Sequence, residues 1–267
     1  MTDAEFEYLK RRIRNLLDLD LQQYKRKQMR RRLDSFIEER HPRSVVAYCS
    51  DLEKDPVLKK ELKDFLTINV SEFFRDDLQF NYLKRAVFPG MLRKNNILNI
   101  WSAGCSNGAE AYSVAILLDI LSPKVQHRIL ATDVDDAILA LAKEGGPYVG
   151  RELKNVDSLI LYKYFVRSGD GYKVVDHIRD RVEFAKHNLL TDEYEKDFDL
   201  IICRNVVIYL TDDAKRSLNS YFYESLKDGG VMFIGGSEII LGARDVGFES
   251  VGPSFYRKDK VHTLGRV

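Results

Sequence analysis

Residues 97–118, ILNIWSAGCSNGAEAYSVAILL, restrict the fold of this chain more than any other stretch. Ile97, Leu98, Ile100 and Trp101 make an apolar run as long as a buried strand. Small residues at 102–108 can turn sharply and let a ligand approach the backbone. Val114, Leu117, Leu118 and Leu121 then recur at helical spacing. Strand, small-residue turn and helix open a nucleotide-binding α/β unit. The turn holds only Gly104 and Gly108, a G-x-x-x-G rather than a three-glycine dinucleotide fingerprint, so taken alone it also suits an ordinary strand-to-helix turn. A second apolar run, Ile129, Leu130 and Ala131, ends in Thr132-Asp133. An acid at that point is placed to hold a ribose diol.

Charge and cysteine usage exclude little but set the setting. Lys and Arg number 42 and Asp and Glu 41 among 267 residues, which argues neither for nor against nucleic acid. Cys49, Cys105 and Cys203 lie far apart in no metal spacing, as in a reducing compartment without a disulfide framework. The five histidines form no ligand cluster, so no metal site is expected. The opening MTDAEFEYLKRR has no apolar signal region, and no run is long enough to span a bilayer. The expectation is a soluble cytoplasmic protein with no membrane insertion.

Residues 1 to about 66 read as helical. Phe6, Leu9, Ile13, Leu16 and Leu17 mark one amphipathic face, and Met29, Leu33, Phe36 and Ile37 mark another within a helix over about 21–39. That second helix carries Lys25, Arg26, Lys27, Arg30, Arg31 and Arg32 with no acid among them. Such a run is usually a solvated face. Like charges so close repel, however, and without an acidic partner they point to an anionic one. A third helix is expected over 44–52. Asp55-Pro56 starts a fourth, with Val57, Leu58, Leu62, Phe65 and Leu66 buried. Residues 67–75, TINVSEFFR, join this part to the next. A helix from Asp76 or Asp77 is expected to stop before Pro89-Gly90.

From Ile97 strands and helices alternate, the signature of a parallel sheet covered on both faces. Strands are expected at 97–101, 129–133, 182–185, 198–203 and 231–234. A helix over 212–227 should stop at Gly229-Gly230. Residues 151–181 break the rhythm as a small insertion, with a helix over 153–164 and a hairpin about Ser168-Gly169-Asp170-Gly171. Residues 248–258 read as two antiparallel strands. Five alternating strands and a final reversal correspond, on fold analogy, to the methyltransferase version of the Rossmann sheet. The fold class is therefore α/β: an N-terminal all-helical domain with its joining segment (1–75), then a Rossmann-like class I methyltransferase sheet (76–267) with a small inserted antiparallel β-subdomain.

Six segments in order carry a resemblance: TINVSEFFR (67–75), WSAGCSNGAEAYS (101–113), ATDVD (131–135), HNLL (187–190), DFDLIICRNVVIYL (197–210) and GGSE (235–238). With them the chain resembles the CheR family, S-adenosylmethionine-dependent methyltransferases of bacterial chemoreceptors. The resemblance implies methyl transfer to receptor glutamate carboxylates, with S-adenosylhomocysteine as product, in chemotactic adaptation. It implies that Asn69, Ser71 and Arg75 reach the cofactor, Arg75 near its reactive sulfonium, and that Gly104 and Glu110 meet it at the turn. Asp133 would hold the ribose, Asn188 and Leu189 would border the adenine, and Arg204 and Asn205 would line the methionine end. Arg75 and Tyr209 would steer the incoming carboxylate. Taken without the resemblance, both suit purely structural roles, a salt bridge and a packed aromatic. The basic helix would face the receptor's helical bundle through Lys27, Arg30 and Arg31. A monomer with no nucleic-acid partner is expected.

Three departures stand out. Where the family usually has T-G-E-E-P-Y, this chain has Asn107-Gly108-Ala109-Glu110-Ala111-Tyr112, so one acid is replaced by Ala109. Ser71 stands where threonine is frequent and keeps the hydroxyl. The hairpin is short where some members use a longer loop to hold a receptor C-terminal pentapeptide, so no such tether is expected. Three rivals stay open on the sequence. A nucleic-acid methyltransferase lacks the Asn-Pro-Pro type of motif at Arg204-Asn205-Val206-Val207, and a nicotinamide oxidoreductase lacks the third glycine. A non-catalytic cofactor-binding module of the same fold is kept alive by Ala109 and Ala111.

Overall fold

The computed structural model describes residues 1–40, 42–67 and 71–259. They divide into two compact units, Met1–Ile68 with Val207–Lys215, and Asn69–Val206 with Arg216–Val267.

The first unit holds α1 (Asp3–Leu17), α2 (Arg26–Arg40), α3 (Val45–Lys54) and α4 (Pro56–Thr67). Local chemistry sets each start. Thr2 and Glu5 close a capping box on α1, the Ser44 hydroxyl caps α3, and the Asp55 carboxylate accepts the Val57 N–H at the head of α4. Phe6, Leu9 and Ile13 of α1 and Met29, Leu33, Phe36 and Ile37 of α2 are buried. Two expectations change. The helix expected from residue 21 begins at Arg26, because the Asp20 carboxylate caps a separate 3-10 turn at Leu21–Gln23 and Tyr24 is extended, bridging to Leu210. Val57 is 65% exposed, since it lies about opposite the buried Leu66 on the helical repeat. The chain returns to this unit after residue 206: the Lys25 N–H donates to the Tyr209 carbonyl (2.9 Å) and the Thr211 N–H to the Gln23 carbonyl (2.8 Å).

The second unit begins with one long helical run, α5 (Asp77–Tyr82), a π turn (Leu83–Val87) and α6 (Phe88–Leu92). It passes straight through Pro89-Gly90, where a stop was expected. The π turn restarts the hydrogen-bond ladder, so Pro89 falls in the first turn of α6, where its missing N–H is not needed. Then come β1 (Asn99–Ala103), α7 (Ala109–Leu121), β2 (Arg128–Asp133), α8 (Asp136–Glu144) and α9 (Ser158–Tyr164). The remaining strands are β3 (Phe165–Ser168), β4 (Gly171–Val174), β5 (Val182–Lys186), β6 (Phe198–Cys203), β7 (Leu226–Ile234), β8 (Phe248–Gly252) and β9 (Phe255–Lys258).

Seven strands form one sheet in the order β5-β2-β1-β6-β7-β9-β8, parallel through β7, with β9 and β8 antiparallel at the end. The class I methyltransferase arrangement read from the sequence is the one present. β3 and β4 form a separate hairpin whose tip is only Gly169-Asp170. Its preceding helix starts at Ser158, not 153, because Asp157 caps it twice while Gly150–Leu153 forms a 3-10 turn. The helix expected to reach 227 ends at Ser225, and Gly229-Gly230 lie inside β7. Leu226 already pairs with Phe198, and a register shift between Phe198 and Leu200 takes up the glycines.

β1 and α7 sit at the centre. Every residue of α7 from Ala109 to Asp119 is buried, so the helix is covered on all sides. Trp101 of β1 stacks on Phe198 (5.4 Å between centroids), meets Phe222, His187 and Tyr194 edge-on, and donates its indole N–H to the Thr132 hydroxyl (2.9 Å). Among the described residues no helix is long and apolar enough to cross a membrane.

Just before β2, buried His127 accepts the Leu98 N–H at Nδ1 (3.1 Å), and its Nε2 lies 2.7 Å from the Ser122 hydroxyl. Burial, helped by Arg181, pushes its pKa below the ordinary 6.5. A depressed folded value means the histidine stabilises the fold above 6.5, and that contribution is lost as pH falls toward and through the folded value. Thermal melts between pH 7 and pH 5 are expected to show a decline that His127→Gln flattens. An unchanged slope in the variant would assign the decline to other groups.

Candidate functional site

The carboxyl ends of β1, β2 and β6 bring together Gly104, Glu110, Asp133, Arg204 and Asn205 of the residues singled out from sequence, where open α/β sheets bind their ligands. After β1, Gly104 sits at φ +79°, where a Cβ would meet Val206 Cγ2 at 2.5 Å. Only glycine fits that turn. At the end of β2, Asp133 accepts the Ser106 N–H on Oδ2 (2.8 Å) and the Asp135 N–H on Oδ1 (3.1 Å). Burial raises its carboxyl above the ordinary value despite those two bonds. Each oxygen keeps acceptor capacity for a further donor.

Glu110 and Arg204 form the buried centre of the site. Glu110 Oε1 accepts from the Ser102 hydroxyl (2.8 Å) and Oε2 from Arg204 Nη1 (3.3 Å). Arg204 Nη2 donates to the Arg75 carbonyl (3.0 Å) and to Asp76 Oδ2 (2.5 Å). The guanidinium lies over the rings of Phe233 (4.7 Å) and Phe80 (5.4 Å), and the side chain is 2% exposed. Its fork is thus committed to the protein's own acceptors, while its Nε is buried with no hydrogen-bond partner. Ala109, where the family pattern has an acid, is fully buried, so the site there is shaped for a methyl group.

Asn205 takes a left-handed backbone (φ +61°), and its N–H donates to Glu238 Oε2 (3.1 Å). The same oxygen accepts the Gly235 N–H (2.6 Å), which ties the ends of β6 and β7 together. Burial raises the Glu238 carboxyl above its ordinary value, against the pull of the two N–H groups and of Arg204. Asp76 and Glu238 were not singled out from sequence. Glu238 closes the GGSE segment, and Asp76 follows TINVSEFFR directly, so motif edges were the available signal.

Other sequence-derived residues are placed as follows. Ser71 and the Arg75 side chain are half-buried in the second unit. Neighbouring Glu72 is buried. Its burial works against its charge, but Lys154 (2.8 Å) and Arg151 (2.9 Å) outweigh it and hold the carboxyl below the ordinary range. Asn188 turns inward on its own loop: its side-chain oxygen accepts the Leu190 N–H (3.0 Å), and the Leu189 carbonyl accepts the Tyr194 hydroxyl (2.7 Å). Asn69 lies outside the described residues. Tyr209 belongs to the first unit, where the Arg32 guanidinium lies 5.8 Å from its ring centroid.

The basic helix needs one correction. Arg26 and Arg30 do have acidic partners, supplied by α1 and not by α2 alone. Arg30 bonds Asp3 and lies 3.7 Å from Asp34, and Arg26 reaches Glu7 at 3.4 Å. Arg32 donates to the Phe65 carbonyl. The sequence hid the α1 partners because Asp3 lies 27 positions from Arg30 and Glu7 lies 19 from Arg26. Lys27 and Arg31 are exposed.

Residues 4–67 match the family described as "CheR methyltransferase, all-alpha domain", and residues 69–254 match "CheR methyltransferase, SAM binding domain". The chain is 40% identical over 257 residues to the chemotaxis protein methyltransferase of Listeria monocytogenes, spanning 96% of this chain and 98% of that one. It is 30% identical over 276 residues to the chemotaxis protein methyltransferase of Borreliella burgdorferi, spanning 97% and 95%. The residues at the strand ends suit S-adenosylmethionine. The Gly104 turn admits close approach, and the Asp133 oxygens suit a diol.

Proposed function

The chain belongs to the CheR methyltransferase family and takes S-adenosylmethionine as methyl donor, and from that premise we propose that it converts glutamate side chains of chemoreceptors to methyl esters. The observation that carries this reading is the bond between the Arg75 segment and the strand end: Arg204 holds both the Arg75 carbonyl and Asp76. Those bonds anchor the backbone on either side of the Arg75 side chain to the end of β6.

The donor supplies a methyl group already activated by a positively charged sulfur. A glutamate side chain is ionised at neutral pH, so the protein needs no general base. Its work is alignment and exclusion of water. In this reading Asp133 accepts from the ribose hydroxyls, Asn188 and Leu189 border the adenine, and Asn69 and Ser71 reach the cofactor. Glu110 and Asn205 line the amino-acid end, and Arg204 acts from behind as their scaffold. Arg75 steers the carboxylate, with the Tyr209 hydroxyl as a second donor. Lys27 and Arg31 offer charge to an acidic receptor bundle. Arg30, already bonded to Asp3, serves the helical unit instead. The two-residue hairpin tip supports independence from a receptor pentapeptide, and the protein is taken to act as a monomer.

One assay tests these points: transfer of labelled methyl to membranes bearing the organism's chemoreceptors, with base lability as the ester criterion. Label is expected, largely lost in Arg75→Ala, reduced at low salt by Lys27→Glu with Arg31→Glu, and unchanged on receptors lacking their C-terminal residues. Cofactor binding without any label would favour a non-catalytic module.

A further inference from the structure

We propose that Ser113 is a positioning residue for Arg75, its hydroxyl fixing the backbone turn that aims the arginine. The inference rests on the reading of Arg75 given above. Two residues flank Arg75 in left-handed backbone conformations, Phe74 at φ +50° and Asp76 at φ +63°. Aspartate tolerates that region through its short polar side chain, but a bulky phenylalanine there is an outlier that its surroundings must enforce.

The enforcing contacts come from both sides. The Phe74 N–H donates to Ser113 Oγ (3.0 Å). Ser113 in turn donates its own hydrogen to the Ala109 carbonyl (2.6 Å), which leaves its oxygen aimed at Phe74. The Phe74 ring is buried edge-on to Phe80 (5.7 Å between centroids). On the other side Arg204 binds the Arg75 carbonyl and the Asp76 carboxylate. Ser113 is fully buried on α7, a helix covered on every side, so its hydroxyl has no solvent to satisfy it. Joined to Phe74, it ties the middle of the central helix to the segment that presents Arg75. Without that oxygen the Phe74 N–H is buried unpaired, and the peptide is free to flip toward an ordinary φ.

A double-mutant cycle with the whole protein tests this: wild type, Ser113→Ala, Arg75→Ala and both, read as kcat and KM for receptor methylation. Ser113→Ala is expected to lower kcat about tenfold while KM for S-adenosylmethionine stays within about twofold, since a misaimed group costs rate more than cofactor binding. In the Arg75→Ala background the same change should alter kcat by less than about twofold, because the two residues act as a unit. An equal loss in both backgrounds overturns the inference and leaves the Arg75 reading intact. An Arg75→Ala protein with full activity overturns that reading and this one with it. Should Ser113→Ala not fold, Ser113→Cys, with its weaker acceptor, takes its place in the cycle under the same criteria.

Discussion

Replacing Asp133 with alanine is expected to weaken S-adenosylmethionine binding about a hundredfold. The carboxylate closes β2 and is held by two backbone N–H groups, so its remaining lone pairs face a fixed direction. Hydrogen bonds to a charged acceptor contribute about 1.5–3 kcal/mol each, and a ribose offers two hydroxyls. Calorimetric titration of the apo protein measures the effect directly. The pH dependence gives a second check. Burial raises the Asp133 carboxyl, so it takes up a proton at a higher pH than an exposed aspartate. Affinity should therefore fall as pH drops toward that raised value, and the fall should vanish in the variant. Binding within about threefold of wild type in Asp133→Ala would remove the residue from the ribose site.

Arg204→Ala is expected to cost about 3–5 kcal/mol of stability, because it leaves the buried Glu110 carboxylate without its cation. Glu110 and Asp76 both lose their arginine contacts, and Phe80 and Phe233 lose the guanidinium packed on their rings. At about 2–4 °C per kcal/mol for a chain of this size, the melting temperature should drop by roughly 10 °C. Arg204→Lys keeps a charge but cannot reach Glu110, Asp76 and the Arg75 carbonyl together, so it should fall between. A melt within about 2 °C of wild type for Arg204→Ala would mean the network contributes little and that Arg204 is free for ligand.

The sheet was legible in the sequence because its strands are short apolar runs set between turn residues, and the registers of β1, β2 and β6 follow those runs. What misled was local punctuation. Pro89-Gly90 and Gly229-Gly230 are usual helix stops, but a π turn absorbs the first and a strand irregularity the second. The second correction depends on Phe198, a partner distant in sequence, which a reading of neighbours does not contain. The charges of α2 follow the same pattern. The block at 25–32 has no acid within it, yet Asp34 follows one turn on and Asp3 and Glu7 meet it across the fold. Within the site, Asp133, Glu110, Arg204 and Asn205 were legible from motifs. The roles of Asp76, Ser113 and Glu238 were not, since each acts by holding the backbone or side chain of another residue.

Trp101 is the chain's one tryptophan, and it lies in the middle of the sheet against Phe198, His187 and Tyr194. Indole emission from this protein therefore has a single origin. Excited selectively, it reports the loss of the sheet's centre during denaturation and carries no direct signal from the N-terminal helices. Compared with backbone dichroism, which sees both units, it separates the melting of the two without any added label.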